Sequence, residues 1–215
     1  MPHAHAADPN LDQADEIFAA FSNTLRLSHG RAVDGVADID ALLDWLHRYG
    51  LISDRGRAAE GGLLHRDPTE ATRRLRRFAH LRDVLREIAS EVVERGRPTN
   101  AQLRSLNHIL RHGLHYHQLL REPSATRYTF AQVGDRLDQA RTAIASSLAQ
   151  YLAEEPATRL RICANDACRW VFVDRSPAGR RRWCDMRTCG NQAKVARHRA
   201  RARTTQGVPE AGLGD

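Results

Sequence analysis

A mainly α fold, in which a helical N-terminal domain with one small β-hairpin precedes a compact cysteine-bearing finger, is predicted by three features of this 215-residue sequence. Apolar residues recur at helical spacing in five stretches between Asp12 and Glu154. One segment among them, Leu114 to Val133, is instead rich in aromatic and β-branched residues around Glu122-Pro123-Ser124, as a hairpin requires. All four cysteines fall inside 27 residues near the C-terminus, spaced Cys163-x4-Cys168-x15-Cys184-x4-Cys189.

Residues 1–10 are small, polar and rich in His and Ala, and are expected to be disordered. Residues 11–156 then form the helical domain. Ile17, Phe18, Phe21 and Leu25 predict a first helix from about Asp12 to Leu27, with Asn23-Thr24 on its last turns. A loop through Arg31 to Gly35 leads to a second helix, capped by Asp38 or Asp40, built on Leu42, Leu43 and Leu46 and stopped by Gly50. Gly61-Gly62 reads as the next loop. Asp67-Pro68-Thr69-Glu70 is a strong helix start, an Asp that can cap followed by Pro in the first turn and an acid near the positive end of the dipole. The stripe Leu75, Phe78, Leu81, Leu85, Ile88 and Val92 carries that helix to about Glu94. Arg73, Arg74, Arg76 and Arg77 on its other faces could hold an anionic ligand, but charges on an amphipathic helix are more often a solvated face, and that reading is favoured.

Gly96-Arg97-Pro98 breaks the chain, and Thr99-Asn100 caps a fourth helix carrying Leu103, Leu106, Ile109 and Leu110. His108 and His112 share one face of it, with His115 and His117 just beyond; no carboxylate lies among them, so surface histidines are expected rather than a metal site. After the hairpin a fifth helix runs from about Asp135 to Glu154, ended by Pro156. Residues 157–203 are the finger and residues 204–215 a disordered tail. The connection is short, so Leu160 and Ile162 should pack back on the helical part. Residues 1 to 156 are nonetheless expected to fold without the finger.

Two close cysteine pairs separated by fifteen residues let a chain fold back and present four thiolates to one tetrahedral zinc. Four cysteines could also form disulfides. Met1 to Phe18 has neither the charged start nor the apolar run of a secretory leader, which weighs against an oxidising compartment and for one structural Zn2+ on Cys163, Cys168, Cys184 and Cys189. Trp170 to Val173 alternates like a short strand, with Trp183 expected beside it as the second strand. From about Met186 the sequence favours helix to Arg203. Knuckle, hairpin and helix together are the outline of a treble-clef-like zinc finger.

The charge is uneven. Residues 159 to 203 carry 13 Arg/Lys against 3 Asp, while residues 1 to 158 are nearly balanced at 20 against 21. A basic segment of this kind is the footprint of a polyanion partner. Arg180, Arg181 and Arg182 lie near the tip of the return, and Arg187, Asn191, Lys194, Arg197 and Arg201 share the polar face of the last helix; these are the candidate nucleic-acid contacts. Beside Gly190, Asn191 is more readily explained as holding the turn near a ligand.

The residues around the cysteines, Cys163-Ala-Asn-Asp-Ala-Cys168, Trp170-Val-Phe-Val-Asp174-Arg-Ser176, Arg181-Arg182-Trp183-Cys184-Asp-Met186 and Cys189-Gly190-Asn191-Gln192-x-Lys194, closely resemble the CGNR zinc finger of bacterial proteins. The chain departs from that pattern at Gln192, where the family's motif has arginine, so the phosphate contact of that arginine is not implied here. Upstream, Phe21-Ser22-Asn23-Thr24, Trp45-Leu46 with Gly50-Leu51, and Leu81-Arg82 resemble the ABATE domain that precedes this finger. The resemblance implies a stress-related transcription regulator.

The expected function is therefore that of a DNA-binding regulator, the finger on DNA and the helical domain sensing a small-molecule effector or binding a protein partner. A palindromic target would make it a homodimer. The alternative is a zinc-stabilised module that binds RNA or protein, since phosphate attraction is common to both nucleic acids. An enzyme is not expected: four cysteine ligands leave no open zinc position, and no nucleophile motif or paired carboxylate stands in a suitable setting. No stretch approaches the 18 apolar residues of a membrane span, and a cytoplasmic protein is expected.

Overall fold

The computed structural model describes residues 17–28, 31–121 and 128–205. Its elements are α1 (Ile17–Ser22), β1 (Leu25–Ser28), β2 (Arg31–Asp34), α2 (Ile39–Arg48), α3 (Asp54–Arg66), α4 (Pro68–Arg95), α5 (Asn100–Leu110), β3 (Tyr116–Arg121), β4 (Tyr128–Val133), α6 (Arg136–Glu154), β5 (Leu160–Ile162), β6 (Val171–Val173) and α7 (Asn191–Thr205). The strands pair antiparallel as three separate hairpins, β1-β2, β3-β4 and β5-β6. The fold is mainly α, as the periodicity predicts.

Helix α4 is the axis of the molecule. The Asp67 carboxylate accepts the Glu70 N–H, Pro68 occupies the first turn, and Gly96 closes the other end in the left-handed region at φ 79° while its N–H bonds to Val92 O. Twenty-eight residues make it about 42 Å long. Phe78, Leu81, Leu85, Ile88 and Val92 form its buried stripe, and α1, α5, α6 and β5 pack around it. Phe21 of α1 meets Trp45 and Phe78 edge to face, and Phe18 meets Tyr151 of α6.

Several boundaries follow the sequence reading closely. Asp38, rather than Asp40, caps α2 by accepting the Ala41 N–H, and Gly50 follows the helix at φ 68°. Thr99 and Gln102 form a capping box at α5. The predicted hairpin is β3-β4, in register from Tyr116↔Val133 to Arg121↔Tyr128, and Asp135 caps α6.

Other elements differ. The described part of the first helix stops at Ser22, and the chain turns into a hairpin instead of running on to Leu27; Asp12 to Glu16 lie outside the described residues. The Ser22 and Thr24 hydroxyls donate back to Phe18 O and Phe21 O, side-chain bonds that compete with the backbone ladder where the helix ends. The expected loop at Arg31 to Gly35 is β2, whose Asp34 accepts two hydrogen bonds from the buried guanidinium of Arg82, both 2.6 Å. Gly61-Gly62 is no loop but lies within α3, where Gly61 is buried against Leu43. The arginine run is not simply solvated: Arg74 bonds Glu70 at 2.5 Å and also Asp135, while Arg77 bonds Asp138 at 2.8 Å, which ties α4 to the start of α6. Residues 1–10 lie outside the described residues, as does the expected tail beyond Thr205, the end of α7.

In the finger, β6 pairs with β5 and not with Trp183; the register is Leu160↔Val173, Arg161↔Phe172 and Ile162↔Val171. The x4 knuckle returns the chain directly on itself, and Cys163 N–H to Trp170 O at 2.8 Å extends the ladder. Trp183 packs beside Cys163, Phe172 and Cys189, and the carbonyl of its neighbour Arg182 accepts the Ala164 N–H at 2.8 Å. Leu160, Val171 and Val173 are buried in the same core as α1, α4 and α6, so the packing runs across the connection at Pro156. Among the described residues no helix is long and apolar enough to cross a membrane.

Candidate metal centre and basic surface

The knuckle at the tip of β5-β6 carries Cys163 and Cys168, and a π-helical turn at Met186–Gly190 brings in Cys189 behind Cys184. The four sulfurs all lie within 4.8 Å of one another, with Cys168 to Cys184 at 3.7 Å and Cys184 to Cys189 at 3.8 Å. A tetrahedron with metal–sulfur bonds of about 2.3 Å has edges of about 3.8 Å, so the arrangement fits one Zn2+ and is far too open for disulfides. Without a cation the clustered thiols cannot all ionise. Hydrogen bonds from Cys168 and Cys184 pull the Cys163 thiol down to about 2, and that thiolate in turn pushes Cys168 up to about 12 and raises Cys184. Four thiolates so close together require a cation, and a bound zinc supplies charge and a tetrahedral cross-link.

The residues around the sulfurs hold the knuckle. Asn165 accepts the Ala167 N–H on its side-chain oxygen, and its amide faces Cys189 Sγ at 3.5 Å and donates to Gln192 Oε1 at 2.8 Å. Gln192, standing where the finger family has arginine, thus braces the first knuckle against α7. Asp174, fully buried, accepts from the Ser176 N–H and hydroxyl and from the Arg181 N–H. Burial would raise its pKa, but these hydrogen bonds outweigh it and hold the carboxyl below the usual range. The sequence pointed to neither Asn165 nor Asp174 as a working residue; an Asn inside a knuckle was the available signal for the first.

The predicted basic contacts separate into two groups. Arg181 is half-buried, its guanidinium 5.3 Å from the Phe172 ring centroid and bonded to Cys184 O, so it braces the return. Asn191 donates to Arg187 O at 2.9 Å, the local turn role. Arg180, Arg182, Arg187, Lys194 and Arg197 are exposed, and among the described residues none of them forms an ion pair. Arg201 lies on α7, its side chain outside the described set. A cleft of about 310 Å³ is lined by Arg161, Arg180, Arg181 and Arg182 with Ile162 and Ala164. Arg161, which the sequence reading passed over, enters it because β5 alternates; its guanidinium donates to Gly179 O.

Residues 15–155 match a family described as “ABATE: Putative stress-induced transcription regulator”, most of the chain. The chain belongs to the ABATE family. Residues 159–202 of this ABATE protein match the CGNR zinc finger, the segment that holds all four cysteines. A comparison with curated proteins finds no match.

Proposed function

We propose that this ABATE protein is a zinc-dependent, non-catalytic DNA-binding transcription regulator, the finger contacting DNA and the helical domain responding to a ligand or partner. The observation that carries the reading is the set of exposed cations on α7 and the return, none of which has an ion-pair partner among the described residues. The described side chains of α7 are exposed or, at Ala193, half-buried, and the helix is about 22 Å long, suited in width to a major groove about 12 Å across. The arginine-lined cleft beside the knuckle has the chemistry of a phosphate cradle. The family description supports the regulatory role.

Binding of zinc-loaded protein to a DNA duplex across a salt series tests this. Arg197→Gln, if that residue contacts a phosphate, should weaken binding to all sequences alike and lower the log–log salt slope by about 0.9. Variants of Arg182, Lys194 and Arg197 that keep their zinc and bind duplex DNA as tightly as wild type would remove the physical basis of the reading.

A further inference from the structure

A cleft of about 850 Å³ opens among α4, α5 and α6, remote in sequence from the cysteines. Arg73, Arg76 and Arg77 line it from α4, Arg141 from α6, and His108 and His112 from α5; no carboxylate lines it. The α4 residues belong to one helical stripe, since Thr69, Arg73, Arg76 and His80 recur at spacings of three and four. The nearby acids are already engaged: Glu70 holds Arg73 and Arg74, and Asp138 is shared among Arg77 at 2.8 Å, Arg141 at 3.4 Å and Arg74 at 3.7 Å. Glu70, Asp135 and Asp138 are three carboxylates against the five guanidiniums of Arg73, Arg74, Arg76, Arg77 and Arg141, so the wall stays positive.

Arg141 is the telling residue. It is 4 % exposed, and its Nε lies 3.4 Å from Asp138 Oδ1, an ion pair that falls short of hydrogen-bond geometry. Burial, and then the charge of Arg77, lower its pKa from the ordinary arginine value. A buried guanidinium donor beside a roomy cleft, with like charges around it, is the arrangement that an anion completes. Arg76 lines the cleft, is exposed, and is in no ion pair among the described residues. The volume lies within the range of small-molecule sites and far exceeds a single phosphate. On the far wall, the His108 and His112 rings, 4.6 Å apart, offer planar surface and ring nitrogens; the His112 Nδ1–H donates to His108 O, which leaves its Nε2 for a ligand.

We propose that this cleft binds a small polyanion of up to nucleotide size, carrying at least two anionic groups, with its charge on Arg73, Arg76, Arg77 and Arg141 and its body against the histidines. It gives the helical domain of the proposed regulator a ligand class, yet the cleft requires no DNA, so the two readings fail separately. Isothermal titration of the full zinc-loaded chain with pyrophosphate, ATP and citrate, in the absence of DNA, is the test. The expected result is saturable one-to-one binding of at least one of them; response to pyrophosphate and ATP assigns a phosphorylated ligand, response to citrate a polycarboxylate. Arg76→Glu, a surface change that leaves the core intact, and Arg141→Met should each weaken binding by at least about tenfold, whereas Arg197→Gln in the finger should leave it unchanged. Absence of binding by all three anions at millimolar concentration overturns the proposal. So does binding that survives Arg76→Glu and is lost in Arg197→Gln, which would place the anion on the finger.

Discussion

Asn23 joins the start of the helical domain to the finger through one side chain. Its Oδ1 accepts the Val171 N–H at 2.9 Å and its Nδ2 donates to Val171 O at 2.8 Å, both in the buried interior. Asn23→Ala would strand both backbone groups of β6 away from water, at a cost of about 2–4 kcal/mol. The urea midpoint of the zinc-loaded protein should fall accordingly, and a loss under about 0.5 kcal/mol would mean that β6 finds other partners. Asp34 is the second residue of this kind. Burial would raise its pKa, but hydrogen bonds from Arg82 and the Val36 N–H, with the charge of Arg82, hold it below the ordinary 3.8. A depressed folded pKa means that its stabilisation is complete above the unfolded value near 3.8 and is lost as pH falls through the lower folded value. Asp34→Asn should therefore be less stable than wild type at pH 7, and the gap should shrink at pH 3; a constant gap would remove the ion pair as its cause. The metal ligands were legible in the sequence because close spacing is a local constraint. Asn23 and Val171 are 148 positions apart and Arg82 and Asp34 are 48 apart, so only the fold could pair them.

Two glycine sites show how helix packing discriminates between chemically identical substitutions. Gly113 follows α5 where it closes on α6, and a Cβ there would lie 2.4 Å from Thr142 Cβ. Gly113→Ala should cost about 1–3 kcal/mol, because either α5 or α6 has to shift. Gly62 sits inside α3, where the nearest atom to an added Cβ is the end of the Arg66 side chain at 3.7 Å. Gly62→Ala should instead stabilise by about 0.5–1 kcal/mol, the ordinary preference of a helix interior. Thermal melts of the two variants should move in opposite directions; a shared direction would contradict the α5–α6 contact or the helicity at residue 62. This pair also explains one misread element. Two adjacent glycines are a sound loop signal from propensity alone, but Ser53 and Asp54 start α3 upstream and Gly61 lets it lie close to Leu43. The β1-β2 hairpin was missed for the opposite reason: Phe18, Phe21 and Leu25 keep helical spacing across the turn at Asn23-Thr24, and a period cannot show where the backbone stops obeying it. The long helices α4 and α6 were legible because caps, stripe and stop agree.

At the scale of the whole molecule, α4 carries Arg73, Arg76 and Arg77 of the cleft on its first half and packs against β5 of the finger, so one helix touches both parts. The cysteines and the charge suggest a helical domain followed by a finger, and the short connection suggests that Leu160 packs back, but Val171 and Val173 gave no such sign, being single apolar residues in a segment otherwise devoted to the metal. The sequence suggests that residues 1 to 156 fold without the finger; the packing argues the reverse. These three side chains are at most 5 % exposed and lie in the helical core. Burial stabilises by about 1.5–3 kcal/mol for each such side chain, about 5–9 kcal/mol together. A domain's whole stability is about 5–15 kcal/mol. A fragment of residues 1–156 should therefore lose most of its cooperative unfolding, and chelation of zinc, which frees the tip of β5-β6, should lower the melting of the helical signal instead of leaving it untouched. Far-UV circular dichroism of the fragment, and of the full chain with and without chelator, measures both. A fragment that melts cooperatively within a few degrees of the full chain, with chelation leaving the helical transition in place, would show the β5-β6 hairpin to be an appendage on a core that is complete without it.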